Sequence, residues 1–411
     1  IDPVFNYFIF LGIYFMILLV ANQGKEGNLK YALLSGLFIG MGILTKGPVA
    51  LLIITLTAGV YWINLRFKPM IAVKHLLPFA GCVLLTAGVW FAIDIIENGL
   101  GFVSQFIHYQ VELFTEPVAG HSEPVYYHFI VVFIGCFPMS VIALPALFKN
   151  DRAQTRFDSS RWMRILFWVV MILFTIVKTK IVHYSSLTYF PLSFLAASVI
   201  HKAWNEQKKF PACMLLLLIF IGFVFSVLLI GAPWIAQHKN LLIPYLKDPF
   251  AVDCLHTPVL WNGFEVWIGV VYLVALLVSI TLLWKQQVQQ GTVLLFGSTA
   301  FCLLIYLKAV VPKIEAYSQG PAIQFYESLQ GQQVYVTTIG FKSYAPFFYF
   351  RKPPGNNPQS SNGEWLLHQK IDQPAYFVVK TTAMEMMKQY PDVQFIRKEG
   401  GFAFYVRNPD L

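Results

Sequence analysis

Charge is scarce in this sequence. Asp, Glu, Lys and Arg make up 12% of its 411 residues, and hydrophobic residues make up 57%. A soluble domain carries about 25% charged residues. So few charges cannot cover a globule of this length with a polar surface, which excludes a single water-soluble body. Acidic residues are the scarcer sign, 21 against 30 basic, for a net charge of +9. The basic excess falls in short loops rather than along a stripe with interleaved aromatics. That argues against a nucleic-acid partner. Cysteine is also rare, with five in the chain. Four lie in apolar stretches and behave as small hydrophobes. Cys254 lies in a loop without a local partner, so neither a disulfide framework nor a CxxC metal site is present. The sequence opens at Ile1 with no Met, signal peptide or leading basic segment, and runs almost at once into an apolar stretch. The expectation is a fragment whose N-terminal part is missing.

Long hydrophobic runs dominate what is there. The mean hydropathy is +0.59, and aromatics reach 16%, as suits side chains that favour membrane interfaces. A spanning helix needs about 20 mostly apolar residues. Ten segments qualify: 5–21, 28–45, 48–65, 76–96, 125–148, 162–178, 182–201, 212–234, 265–284 and 292–311. Basic residues recur in alternate loops. Lys25 and Lys30 flank the first, and Arg66, Lys68 and Lys74 the second. Lys149, Arg152, Arg156 and Arg161 fill the third, and Lys202, Lys208 and Lys209 the fourth. Such loops stay cytoplasmic. The loops 97–124 and 238–264, the chain start and the C-terminal part then face outward.

The pattern changes near residue 314. QQVYVTTIG, AYFVVKTT and the pair VQFIRKE/FAFYVRN around Gly400–Gly401 read as strands. AIQFYESLQ and AMEMMKQY read as short helices, and Pro353 to Gly363 as a loop. The predicted organisation is a mainly α, polytopic membrane domain over 1–313 and a small extracytoplasmic α/β domain over 314–411.

Ionisable residues near a membrane are costly and mark cavities or partners. Lys46 stands at a Lys-Gly-Pro corner between two spans, on the outer side where positive-inside logic disfavours it. It is either a snorkelling side chain or a cation awaiting an anionic substrate. Lys178 and Lys180, followed by His183 and Tyr184, crowd a second outer corner. They are interface anchors or donors suited to a phosphate. The outer loop QVELFTEPVAGHSEPVYYHF holds His121 among carboxylates. A solvated side chain or a ligand to a divalent metal would both look like this. An amphipathic helix over 101–114 precedes it. Asp2 with Pro3 reads as a helix N-cap, or as a carboxylate that orients or deprotonates an acceptor. Gly36 and Gly40 allow close helix packing.

These segments together resemble the polytopic lipid-linked-sugar glycosyltransferases of the GT-C class. The likeness is to the branch of bacterial aminoarabinose transferases and protein O-mannosyltransferases. It rests on LTKGPVALLI, on GHSEPVYYHF with CFPMSVIALPAL, on KTKIVHYSSLTYFPLSFLAA and on FFYFRKPP, and it runs over essentially the whole chain. The sequence departs from the pattern at Ile181–Val182, where Leu-Pro is usual, and at Ser185–Ser186. The resemblance implies thirteen spans in the whole protein, of which these would be the last ten. The principal catalytic aspartate would lie in the missing part.

Residue by residue, the resemblance places Asp2 at a second acidic position and His121 at a histidine associated with a divalent metal ion. Lys46, Lys178, Lys180, His183 and Tyr184 fall where donor phosphates would lie. It implies an inverting transfer of a sugar from a polyprenyl phosphate to a lipid, protein or glycan acceptor at the outer face of the bacterial inner membrane. A secondary transporter or flippase is the rival class. It should show inverted repeats and interrupted helices at mid-membrane depth, and neither pattern is visible in the sequence.

Overall fold

A computed structural model of the chain describes residues 1–25, 27–115, 123–149, 158–352 and 357–409. By packing, the chain divides into two compact units. One comprises Ile1–Gly222 and Leu277–Phe296, the other Phe223–Leu276 and Gly297–Leu411.

The first unit begins with α1 (Asp2–Ala21), α2 (Leu29–Lys46), α3 (Val49–Asn64), α4 (Val73–Asn98) and α5 (Gly101–Thr115). It continues with α6 (Tyr127–Gly135), α7 (Met139–Leu147), α8 (Ser159–Ile176), a 3-10 segment (Val182–Thr188) and α9 (Tyr189–Asn205). The long helix α10 (Ala212–Gln237) leads out of it. Small residues set the seams. A Cβ added at Gly36 would lie 2.5 Å from the Phe79 carbonyl oxygen, and one at Gly40 would lie 2.5 Å from Thr86 Cβ. Helix α2 therefore meets α4 nearly backbone to backbone, as the Gly36–Gly40 spacing allows. On the α1 side, Ser35 Oγ donates to the Gly12 carbonyl at 2.7 Å. Farther along, Tyr61 of α3 stacks on Trp162 of α8 at 4.2 Å between ring centroids.

Among the described residues, seven helices are long and apolar enough to cross a membrane, or eight if one bent pair counts as a span. The chain is thus a multi-pass membrane protein, and three of the ten predicted segments depart from a single long helix. The predicted 125–148 span is two helices, α6 and α7, bent by 117°. Pro138, at the break, has no N–H with which to continue the helical ladder. The predicted 182–201 span starts as a 3-10 turn, so α9 keeps only 17 residues. Helix α3 has 16.

The second unit takes in α11 (Pro249–Leu255), most of α12 (Val266–Trp284) and α13 (Val288–Ala309), then α14 (Val311–Ser318) and α15 (Gly320–Ser328). A sheet follows, made of β1 (Tyr335–Ile339), β2 (Ala375–Lys380), β3 (Val393–Glu399) and β4 (Phe402–Arg407), with short helices α16 (Ala345–Tyr349) and α17 (Gly363–His368). The four strands and α15 stand where the sequence predicts them. The AMEMMKQY segment is 3-10 rather than α. Strand order is β1-β2-β4-β3, with β1 and β2 parallel and the other pairs antiparallel.

Strand side chains alternate between faces. Phe377, Val379, Ala403 and Tyr405 pack one face against Leu366, Leu367 and Met387. Val378, Phe402 and Phe404 pack the other against Phe325, Tyr326 and Leu329 of the α15 region. Each fully buried Phe or Leu contributes roughly 1.5–3 kcal/mol relative to exposure. Strand β3 is an edge, and Arg397 folds over the rings of Phe325 and Phe404 at 5.6 and 5.2 Å. Within the same unit, helix α11 backs the β3–β4 turn, although the sequence places Cys254 in a loop. A Cβ at Gly401 would lie 2.6 Å from Cys254 Sγ and from a ring carbon of Phe250.

Candidate functional site

A cavity of about 190 Å³ opens at one end of the first unit. It is built where α1 begins, α2 ends and the 3-10 segment starts. Asp2 sits in the first turn of α1, and Asn6 follows one turn later on the same face. Lys46 is the last residue of α2, and Gly47 then turns the chain at φ +105°. A β-carbon at Gly47 would be 2.9 Å from Phe106 of α5. The Lys-Gly-Pro corner is therefore pressed against that helix, and only glycine fits both the angle and the space.

The polar groups converge on the Asp2 carboxylate. Lys46 Nζ donates to Oδ1, and His183 Nε2 lies 3.4 Å from Oδ2. The ammonium also stands 4.6 Å over the Tyr184 ring, a cation–π contact worth about 0.5–1 kcal/mol or more as water is excluded. Asn6 Nδ2 donates to Ser186 Oγ at 2.7 Å, and Ser186 Oγ donates to the His183 carbonyl at 2.5 Å. Those two bonds tie α1 to the 3-10 segment and anchor the backbone at His183. The side chains stay accessible, at 31% for Lys46, 25% for Asp2 and 48% for His183, so a ligand can reach all three. Leu52, Leu173, Phe174 and Val177 supply apolar walls, and Tyr109 and Gln110 come from α5.

Of the residues singled out from sequence, the structure gathers Asp2, Lys46, His183 and Tyr184. It does not gather the other two lysines. Lys178 is exposed and does not line the cavity. Lys180 is buried and donates to the Val177 carbonyl at 3.1 Å. His121 lies outside the described residues. Among the described residues, no three His, Cys, Asp or Glu side chains converge as a metal site. Among the described residues that line the cavity, Asp2 and His183 are of ligand type.

Sequence reasoning missed Asn6, Tyr109 and Gln110 as lining residues. The i, i+4 spacing of Asn6 from Asp2 was the available signal. His128, at the end of the outer-loop stretch singled out from sequence, is fully buried with Nδ1 3.2 Å from Ser185 Oγ and does not line the cavity.

No protein-family model matches the chain. Curated relatives do. The undecaprenyl phosphate-α-4-amino-4-deoxy-L-arabinose arabinosyl transferase of Wigglesworthia glossinidia brevipalpis is 26% identical over 212 residues, 51% of this chain and 37% of that protein. The protein of the same name from Edwardsiella ictaluri is 28% identical over 219 residues, 52% of this chain and 38% of the relative. The matched part is thus little more than a third of these relatives' length. Among solved structures, ArnT from Cupriavidus metallidurans bound to undecaprenyl phosphate superimposes with a TM-score of 0.67 at 17% identity. The match covers 100% of this chain and 76% of that one. The apo form gives 0.68 at 16% identity. The chain has the ArnT fold. ArnT is a GT-C glycosyltransferase, so the expected GT-C architecture holds at the level of the fold.

Proposed function

We propose that this chain acts as an integral-membrane glycosyltransferase. It moves a sugar from a polyprenyl-phosphate donor to a lipid acceptor at the outer face of the inner membrane. The donor class follows the relatives, whose names specify undecaprenyl phosphate-linked aminoarabinose. Lipid A is the first acceptor to assay, with protein and glycan acceptors as comparisons. The basic loops 66–75, 149–161 and 202–211 support a cytoplasmic side opposite the cavity.

The observation that carries the reading is the Asp2–Lys46–His183–Tyr184 cluster in an accessible, apolar-walled cavity. An entering phosphate competes with Asp2 for the Lys46 ammonium and the His183 imidazole. In a single displacement the acceptor oxygen bonds to the anomeric carbon as the carbon–oxygen bond to phosphate breaks. The electron pair stays on the leaving phosphate, where Lys46 and His183 offset the growing charge. The acceptor proton passes to a carboxylate, and Asp2 is the one this cavity presents. The relatives and the fold both favour a transferase over a transporter.

The test uses the full-length protein in vesicles with labelled donor. Release of polyprenyl phosphate should match label appearing on the acceptor. Lys46→Ala should lower the rate by about a hundredfold or more, with unchanged expression. Wild-type turnover in Lys46→Ala would sink the proposal.

A further inference from the structure

The second unit carries a cavity that the proposed transfer does not use. Strands β1 and β2 run parallel with Ile339 opposite Val379, so residues 340–343 and Lys380 leave the sheet at the same edge. Crevices outside the carboxyl ends of parallel strands are where open α/β sheets bind ligands. Here the crevice is a cavity of about 300 Å³, at the small end of ligand sites.

Its lining is one-sided in charge. Lys342 and Lys380 both face it, with Ser343, Gln319 and Tyr326, and no Asp or Glu lines it. Among the described residues neither lysine has a carboxylate partner. Lys380 Nζ is instead held over the rings of Phe250 and Phe341 at 4.9 and 5.4 Å. Lys342 stands 5.4 Å over Tyr344. Ring faces position an ammonium without neutralising it, so the cavity keeps two uncompensated positive charges.

The donors beside them are set. Thr338 Oγ1 donates to the Phe341 carbonyl at 2.8 Å and closes the loop that follows β1. Gly340 makes the turn at φ +77°. Ser343 Oγ accepts the Ala345 N–H at 3.2 Å, which leaves its own hydrogen to donate. Tyr326 is 1% exposed, its hydroxyl has no hydrogen-bond partner among the described residues, and burial pushes its phenol up. Ser318, also in the lining, is the last residue of α14, the short helix that follows the apolar helix α13.

We infer that this cavity is a binding site for a phosphate group, with Lys342 and Lys380 as its charged donors and the Phe250 and Phe341 rings as its apolar wall. A membrane lipid headgroup and a free phosphate share this chemistry. The site needs nothing from the first unit, so its failure would leave the transferase reading untouched.

The test is equilibrium dialysis of the full chain in a non-ionic detergent. One arm uses inorganic phosphate and the other dihexanoyl phosphatidic acid below its micellar concentration. Saturable binding of one or both is expected. A preference for the phosphatidic acid assigns a headgroup site, and equal binding assigns a free-anion site. Lys342→Gln and Lys380→Gln should each weaken binding about tenfold, and the double variant should abolish it. Lys352→Gln is the control, because that lysine already donates to the Ser360 carbonyl and the Ser361 hydroxyl. Hydrogen exchange of the wild-type chain should slow over residues 340–345 and 380–383 on binding, a readout that needs no variant. No saturable binding of either probe, unchanged binding in the double variant, or protection confined to other segments would overturn the assignment.

Discussion

Two lysine–carboxylate pairs, one in each unit, share their chemistry and differ in their surroundings. Lys46 and Asp2 meet with a quarter to a third of each side chain accessible, beside an imidazole and a phenol ring. Lys313 and Glu265 meet with the carboxylate only 6% exposed. Glu265 also accepts the Asn262 N–H at 3.3 Å. Lys313 lies 5.2 Å over the Trp261 ring, and Trp261 is fixed by a 2.9 Å hydrogen bond to Tyr317. The second pair buries its carboxylate, although Lys313 keeps 24% of its side chain accessible. The first leaves both partners within reach of a competing anion. The surroundings, rather than the pair, separate a holding contact from an exchangeable one.

That contrast can be broken by experiment. The largest effect should come from Lys313→Ala, which strands a buried carboxylate. It should lower unfolding free energy by about 3 kcal/mol, measured by denaturation in mixed micelles. Lys46→Ala should change stability by less than about 1 kcal/mol while slowing the proposed transfer by about a hundredfold or more. Comparable destabilisation by both variants would erase the distinction. Gly36→Ala comes next, because its Cβ would meet a backbone carbonyl that cannot swing aside. It should cost about 1–3 kcal/mol in the same assay. Asn6→Ala removes the bond to Ser186 and should cost about 1 kcal/mol, with a rise in KM for the donor as His183 loosens.

The smallest effect is pH-dependent. Burial raises the Asp253 carboxyl, but hydrogen bonds and the Lys398 ammonium at 2.9 Å outweigh it and hold the group below the usual range. A depressed folded-state value stabilises the fold above the unfolded pKa, and that stability is lost as pH falls through the folded value. Melting of the wild-type chain should therefore drop below about pH 4. Lys398→Ala should flatten that drop by less than about 1 kcal/mol, since Lys398 is 45% exposed.

Much of this was legible in the sequence. Hydropathy located the long helices, and β-rich runs bounded by turn residues located all four strands, because both signals are local. The break between α6 and α7 was not legible, since 125–148 stays apolar throughout and hydropathy does not register a bend. The Asp2–Lys46 contact spans 44 positions, and sequence reading had kept the two residues apart. Lys178 and Lys180 stay apart from the cavity for a local reason. Residues 177–181 form no helix, and Lys178 is exposed while Lys180 is buried. Side chains two apart share a face in a strand, but not in an irregular turn that one of them donates into.

The Asp2–Lys46 contact also bears on how the protein enters its membrane. Helices α1 and α2 form a hairpin whose two far ends are Asp2 and Lys46. Insertion as a hairpin delivers both groups to the same side together. A lone lysine carried across would oppose insertion by about 2.5–3.5 kcal/mol at mid-membrane depth, whereas a paired lysine crosses as part of a neutral unit. Replacing Asp2 would then act before any substrate is met, on the fraction of chains that attain the correct topology.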